Sequence, residues 1–451
     1  MNKLNPLIVT STVLANGLLF SSMSQAATVE FWTAQTQTDR LQTIELLADT
    51  FEALNDNVTV KVVAVDENEM ATQMAAAVAA GTTPELIEVN SELIMAFGEE
   101  GVVDTSSHQA VVKDIGQTRF HTGALNSLKS PSGEYYGLPY HGWIQGIWYR
   151  KDWFAEKGLA APNTWENIAK AAEVLTDKAN NQYGILVGTK QDSYTEQVFT
   201  QLALSNNASE FDEQGNLVFN SPATLETIEY YNELAQYNPP GPQNWRARDY
   251  YLQGKMAMFF YSTYIMDDLS LAEVAKSSLT SENFKELSGG TFDPNLVKNT
   301  GFEPIITNKS AASYGTVSGL VALKNQNAED QKATQDFIKF MYDPASYIIF
   351  LHMAPGGMNP MLKGIAEDPS YRTDPTGVFN LYGADQMKQI VSGFDTIRSF
   401  SVVDGKTYPA SGEIFAKSVI PRMIYDVTIE GKDPQEALDE AEAEMKAIIA
   451  K

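Results

Sequence analysis

The chain has 451 residues, no cysteine and a formal net charge of -25. That length exceeds one ordinary domain, so two domains or one two-lobed body is expected, and 43% hydrophobic with 20% charged residues is a globular rather than a disordered composition. The missing cysteine excludes disulfides, thiolate metal sites, cysteine nucleophiles and thioether lipid anchors, while 32 Lys+Arg against 57 Asp+Glu argues against nucleic acid as a partner, because phosphate binding needs clustered positive charge.

Lys3 precedes a largely apolar run from Leu7 to Phe20, and Ser24-Gln25-Ala26 puts small residues where signal peptidase reads. The run is too short and too polar to span a bilayer, so it predicts a secretory signal peptide cleaved near Ala26. No later stretch is long and apolar enough to cross a membrane, so the mature product is expected to be soluble and not membrane-embedded. Export without a lipid anchor points to the periplasm of a Gram-negative cell.

Strand and helix signals then alternate. Val29-Glu30-Phe31-Trp32 reads as a strand, and Leu41, Ile44, Leu47 and Phe51 follow with helical period. Val58 to Val65 is β-branched and strand-like. Met70, Met74, Ala77 and Ala80 mark a helix closed by Gly81, and Leu86-Ile87-Glu88-Val89 is a third strand. This is the βαβ pattern of a mostly parallel sheet, in which ligands sit beyond the carboxyl ends of the strands. The segments after Trp32 and after Val89 are therefore candidate binding loops. The first carries Gln35, Gln37 and Asp39, polar groups suited to a hydroxylated ligand; Thr38 or Asp39 also suits the cap of the next helix.

Further on, Ser132-Gly133 is a turn leading through Leu138-Pro139-Tyr140 into the aromatic-rich strand His141 to Tyr149. Thr164 caps a helix, Tyr183 to Val187 resumes the βα pattern, and Asp212 to Asn216 is a turn. Ser221-Pro222 opens a helix, and Gly254-Lys255 ends one before the buried strand at Met256-Ala257-Met258-Phe259-Phe260. Asp433-Pro434 starts a terminal amphipathic helix whose inward positions are Ala437, Leu438, Ala441, Met445 and Ile448. There is no internal repeat and no flexible linker.

Enzyme signatures are scarce. His108, His121, His141 and His352 form no metalloprotease pair, and no nucleophile elbow or phosphate-binding glycine loop occurs. Gly315-Thr316-Val317-Ser318-Gly319 has its serine one place late. No cofactor or metal is expected. A glycosidase-type carboxylate pair is invisible among 57 acids. Trp32, Trp143, Tyr194, Trp245, Tyr261 and Tyr264 fall beside predicted strand ends, where aromatic faces match the C–H face of a pyranose; each taken singly also suits the core.

In these features the chain resembles the periplasmic solute-binding proteins of carbohydrate ATP-binding-cassette importers, the group that contains the maltose-binding protein. Ala79-Ala80-Gly81-Thr82-Thr83-Pro84-Glu85 is similar to the family's A-A-G-x-x-P-D segment, with Glu85 for aspartate. Leu138-Pro139 followed by Trp148-Tyr149-Arg150-Lys151-Asp152 resembles its proline-then-Y-N-K-D stretch, with Arg150 for asparagine. Thr164-Trp165-Glu166, Gly254-Lys255-Met256-Ala257-Met258, Asp336 to Met341 and Gln435-Glu436-Ala437-Leu438 resemble later family motifs in the same order.

The resemblance implies an α/β, two-lobed periplasmic binding protein fold of type II, each lobe a mostly parallel sheet flanked by helices, with the ligand cleft at the hinge. It places residues 27–140 plus 314–352 in one lobe and 141–313 plus 353–451 in the other, with crossings near Tyr140-His141, Ser313-Tyr314 and Met353 to Gly357. It implies a monomer that captures a sugar, expected to be an oligosaccharide, and delivers it to the permease transmembrane subunits. The family's ligand positions map to Asn90, Ser91 and Glu92 after the third strand, to His141 and Trp143 at the first crossing, to Tyr194, Trp245 and Tyr264, and to Gly357 and Met358 at the last crossing. The alternatives are an exported polysaccharide-degrading enzyme, or the same fold holding a sugar phosphate or another small solute.

Overall fold

A computed structural model describes residues 26–280, 287, 289–325, 327–403 and 406–450. The leader predicted over 1–26 therefore lies outside the described residues except for Ala26. The strands in chain order are β1 (Ala27–Thr33), β2 (Val58–Ala64), β3 (Leu86–Asn90), β4 (Leu138–Arg150), β5 (Tyr183–Leu186), β6 (Met256–Ser262) and β7 (Thr300–Glu303). After them come β8 (Ile306–Thr307), β9 (Ala311–Ala312), β10 (Tyr314–Ala322), β11 (Asn359–Pro360), β12 (Val402–Val403) and β13 (Lys406–Thr407).

Nine of them form one sheet in the order β2-β1-β3-β10-β4-β6-β5, with β7 and β11 also on β4; β8 and β9 pair separately. β1, β2 and β3 are mutually parallel, as are β5 and β6, while β10 is antiparallel to both its neighbours. The parallel set β1, β2 and β3 and the parallel pair β5 and β6, of opposite sense, are thus joined through β10 and β4. This long strand pairs with β10 from Leu138 to Gln145 and with β6 from Gln145 to Tyr149. Its glycines permit the junction: a Cβ on Gly142 would meet the carbonyl oxygen of Thr316, and one on Gly146 that of Glu303.

The elements form where their sequence dictates. The helix Met70–Ala80 ends at Gly81, whose φ of 69° is the left-handed conformation that lets the chain turn back into β3. Thr164 accepts from the Asn167 amide and Ser221 from the Thr224 amide, each satisfying an end donor of its helix. The helix Pro434–Ile449 buries the five predicted positions, Ala437, Leu438, Ala441, Met445 and Ile448. The cap predicted at Thr38 or Asp39 is different: Gln37 takes that position with no side-chain bond, because the backbone turns into helix one residue earlier. The stretch 265–313 supplies β7, and Phe302 packs on Trp148 with ring centroids 4.2 Å apart. Among the described residues no helix is long and apolar enough to cross a membrane.

Candidate functional site

Register decides which side chains share a face. Residues paired across a ladder point to the same side, and alternate residues along a strand do too. Thr33 pairs Glu88, Asn90 pairs Ser318, and Ser318 pairs His141. Thr316 pairs Trp143 and Tyr314 pairs Gln145. One face of the sheet centre therefore carries a polar and aromatic stripe from Thr33 to Gln145. Beyond Gln145 the helix Ser193–Ser205 covers that face: the Gln145 amide donates to the Gln197 carbonyl at 3.0 Å and to Gln201 at 3.1 Å.

Two adjoining depressions open beside the start of β10. The larger has a volume of about 790 Å³ and the smaller about 290 Å³, and Glu92, Gly315 and Ser399 line both. The larger is lined by Asn126, Ser127 and Lys129 and by Asp395 and Arg398. Arg398 is held in place by the Leu204 carbonyl and the Ser310 hydroxyl, each at 2.9 Å. The smaller is walled by Tyr314, Phe400 and Phe415 and by the carboxyls of Glu92, Glu196 and Glu210. Burial raises the Glu196 carboxyl well above the usual range, with repulsion from Glu210 adding to it, and burial pushes Glu210 up to about 7 against the hydrogen bond from Ser411.

The predicted positions separate into groups. Ser91 and Glu92 lie at the depressions, at the start of the helix Ser91–Glu99, which Asn90 caps by accepting from the Leu93 amide. Trp143 is half-buried, its ring 6.1 Å edge-on from that of Tyr314. Gln35 and His141 converge on a residue the sequence reading did not choose. Glu88 accepts from the Thr33 hydroxyl at 2.7 Å and from the Gln35 amide at 3.2 Å, with His141 Nε2 at 2.6 Å. Burial alone would raise the Glu88 carboxyl, but the His141 contact, with Thr33 and Gln35, holds it below its usual value.

Tyr264 is 46% exposed, and a Cβ on Gly357 would meet its ring. Met358 is buried. Gln37 and Asp39 are exposed at the start of the first helix. Trp32 sits in the core with its indole donating to Glu30. Tyr194 is fully buried, its hydroxyl donating to the Phe260 carbonyl, and its ring lies 4.7 Å from that of Trp245. In this conformation neither Trp32 nor Tyr194 has a free ring face. Among the described residues no group of three or more His, Asp or Glu is placed to hold a metal.

The model of the bacterial extracellular solute-binding protein family matches residues 34–348. The chain belongs to that family. This solute-binding protein is 28% identical over 423 residues to the Escherichia coli protein YcjN, which is designated an ABC transporter periplasmic-binding protein, covering 93% of this chain and 92% of that one. It is 25% identical over 203 residues to the mannitol-binding protein of Pseudomonas aeruginosa, covering 44% and 46% of the two chains. In fold it superimposes on the sugar-binding protein MalE of Xanthomonas citri with a TM-score of 0.72 at 18% identity, over 94% of this chain and 98% of that one.

Tyr314, Glu196, Glu210 and Arg398 are among the lining residues that sequence reasoning missed. Glu196 alone carried a signal, as an acid inside a helix that is buried over most of its length. The other three lie in strand ends and turns, and only the folded chain brings them to Glu92.

Proposed function

We propose that this solute-binding protein is the receptor of an ABC importer and captures a sugar between two closing lobes, residues 27–140 plus 314–352 and 141–313 plus 353–451. The observation that carries this reading is the shared lining of the two depressions. Glu92 comes from the helix that follows β3, Gly315 from β10, and Ser399 from the segment beyond residue 392, so a solute held there would touch residues of both proposed lobes. Contacts made only when the halves approach shift the population toward the closed form. Moving that equilibrium from 1:99 to 99:1 takes about 5.5 kcal/mol of differential binding, within reach of a stacked ring and several hydrogen bonds.

A sugar is favoured because the lining mixes aromatic faces with hydroxyls, amides and carboxyls, because a mannitol-binding protein is a relative in sequence, and because a sugar-binding protein shares the fold. Release to a permease is supported by the relation to YcjN and residence in the periplasm by the predicted leader, while the monomeric state rests on the family resemblance. The test is a thermal-shift panel of mono- and oligosaccharides, polyols and glycerophosphodiesters on the mature protein, with product analysis of any glycan that binds. Stabilisation by a sugar without bond cleavage supports the reading. Stabilisation by a non-sugar solute alone, or steady release of reducing ends, overturns it.

A further inference from the structure

The smaller depression contains a charge arrangement that the capture of a neutral sugar leaves unused. Glu92, Glu196 and Glu210 are its charged lining residues, and no Lys, Arg or His joins them there. Glu196 and Glu210 are 4% and 2% exposed. Glu210 receives the Ser411 hydroxyl, whereas Glu196 Oε2 is buried with no hydrogen-bond partner among the described residues. A buried carboxylate oxygen without a partner loses its hydration and regains nothing, so it persists where a bound group completes it. The rings of Tyr314, Phe400 and Phe415 stand around the same volume. Aromatic faces and carboxylates together are complementary to a compact cation, through the ring quadrupole and through charge-assisted hydrogen bonds.

We infer that this depression is a subsite for a primary ammonium group, so that the ligand is an amine-bearing solute, on the carbohydrate reading an amino sugar. The inference deepens that reading and rests on it only for the sugar half of the ligand. A neutral hydroxyl can donate one proton to Glu196, whereas an ammonium group offers three donors and a charge that offsets both buried carboxylates. Burial raises the proton affinity of both carboxyls, Glu196 well above the usual range and Glu210 to about 7, and a cation beside them would favour their charged forms. Tyr314 and Glu92 are the other titratable groups that line the pocket, and neither supplies a positive charge.

The test is calorimetric titration of the full mature chain with glucosamine, galactosamine and the deacetylated glucosamine disaccharide, each beside its neutral hydroxyl counterpart, and with putrescine as a non-sugar amine. At least one amine-bearing sugar should bind about tenfold or more tightly than its counterpart, and Glu196→Gln and Glu210→Gln should each remove that preference. Both substitutions are isosteric, and thermal melts verify folding; Glu92→Gln, at an exposed position, serves as a second variant that should reduce the preference. Equal affinity for both members of each pair, a preference that survives all three substitutions, or no binding of any amine would overturn the subsite. Putrescine binding alone would uphold the ammonium subsite and remove the carbohydrate reading; neutral sugars binding as well as amines would do the reverse.

Discussion

His141 Nε2 lies 2.6 Å from Glu88 Oε1, and both side chains are buried. The two residues stand on β4 and β3, with β10 between them, so the contact bridges a strand that neither belongs to. It ties the strand shared by both halves of the sheet to the strand that ends at the candidate site. Removing His141 leaves Glu88 with only neutral partners in a dry setting. His141→Ala should destabilise the protein by roughly 2–4 kcal/mol in urea denaturation at neutral pH. Because the folded Glu88 carboxyl is held below its usual value, its contribution is present at neutral pH and is lost as pH falls through the folded value. The variant should therefore lose less stability than the parent on acidification.

Glu210 has the opposite sign. Its folded carboxyl is pushed up to about 7 from the ordinary 4.5. Below the ordinary value both states are protonated and burial carries no penalty. Between the two values the unfolded chain ionises first and the native state loses ground, by ~3 kcal/mol once the folded value is passed. Glu210→Gln cannot ionise, so it should raise the melting temperature of the ligand-free protein at about pH 8 and leave it nearly unchanged at about pH 4. Equal shifts at both pH values would contradict the assignment.

Trp143 and Tyr194 were both chosen as stacking rings, and the structure separates them. Trp143 is half-buried beside Tyr314, whereas Tyr194 is fully enclosed. Trp143→Ala should weaken binding of the best ligand by about tenfold or more while the ligand-free melting temperature moves by only a few degrees. Tyr194→Ala should cost about 3–5 kcal/mol of stability, since it empties a large packed volume and strands the Phe260 carbonyl it satisfies. Calorimetry with matched melting curves distinguishes the two outcomes.

Gly357 and Tyr264 can be read as a pair. A methyl group at Gly357 would occupy the place of the Tyr264 ring. Gly357→Ala alone should destabilise by about 1–3 kcal/mol, the usual cost of overpacking. Adding Tyr264→Ala should recover much of that loss, so the double-mutant cycle should show favourable coupling. Additive losses would mean that the ring moves aside freely.

Much of the architecture was legible because periodicity reports burial. The five inward positions of Pro434–Ile449 recur at helical spacing, and β1, β2 and β3 appear as short β-branched runs separated by amphipathic helices. The candidate site was legible only in part. Glu92 lies at the depressions, as the rule for loops after parallel strands leads one to expect, while Trp32 packs in the core, a place that suits a strand-end aromatic as well as a sugar face does. Gln35 and His141 were chosen as separate ligand contacts, and they meet at Glu88, which strand periodicity marks only as one residue of β3.

The sequence by itself determined an α/β chain with ordered family motifs and a terminal helix, since each of these depends on residues close along the chain. The tertiary structure alone decided that β4 serves both halves of the sheet, that His141 meets Glu88, and that Glu196 and Glu210 face one pocket with Tyr314. Those relations join positions that are distant in the chain. They follow from register and packing, where one step along a strand sends a side chain to the opposite face, and composition carries no record of which of 57 acids will meet.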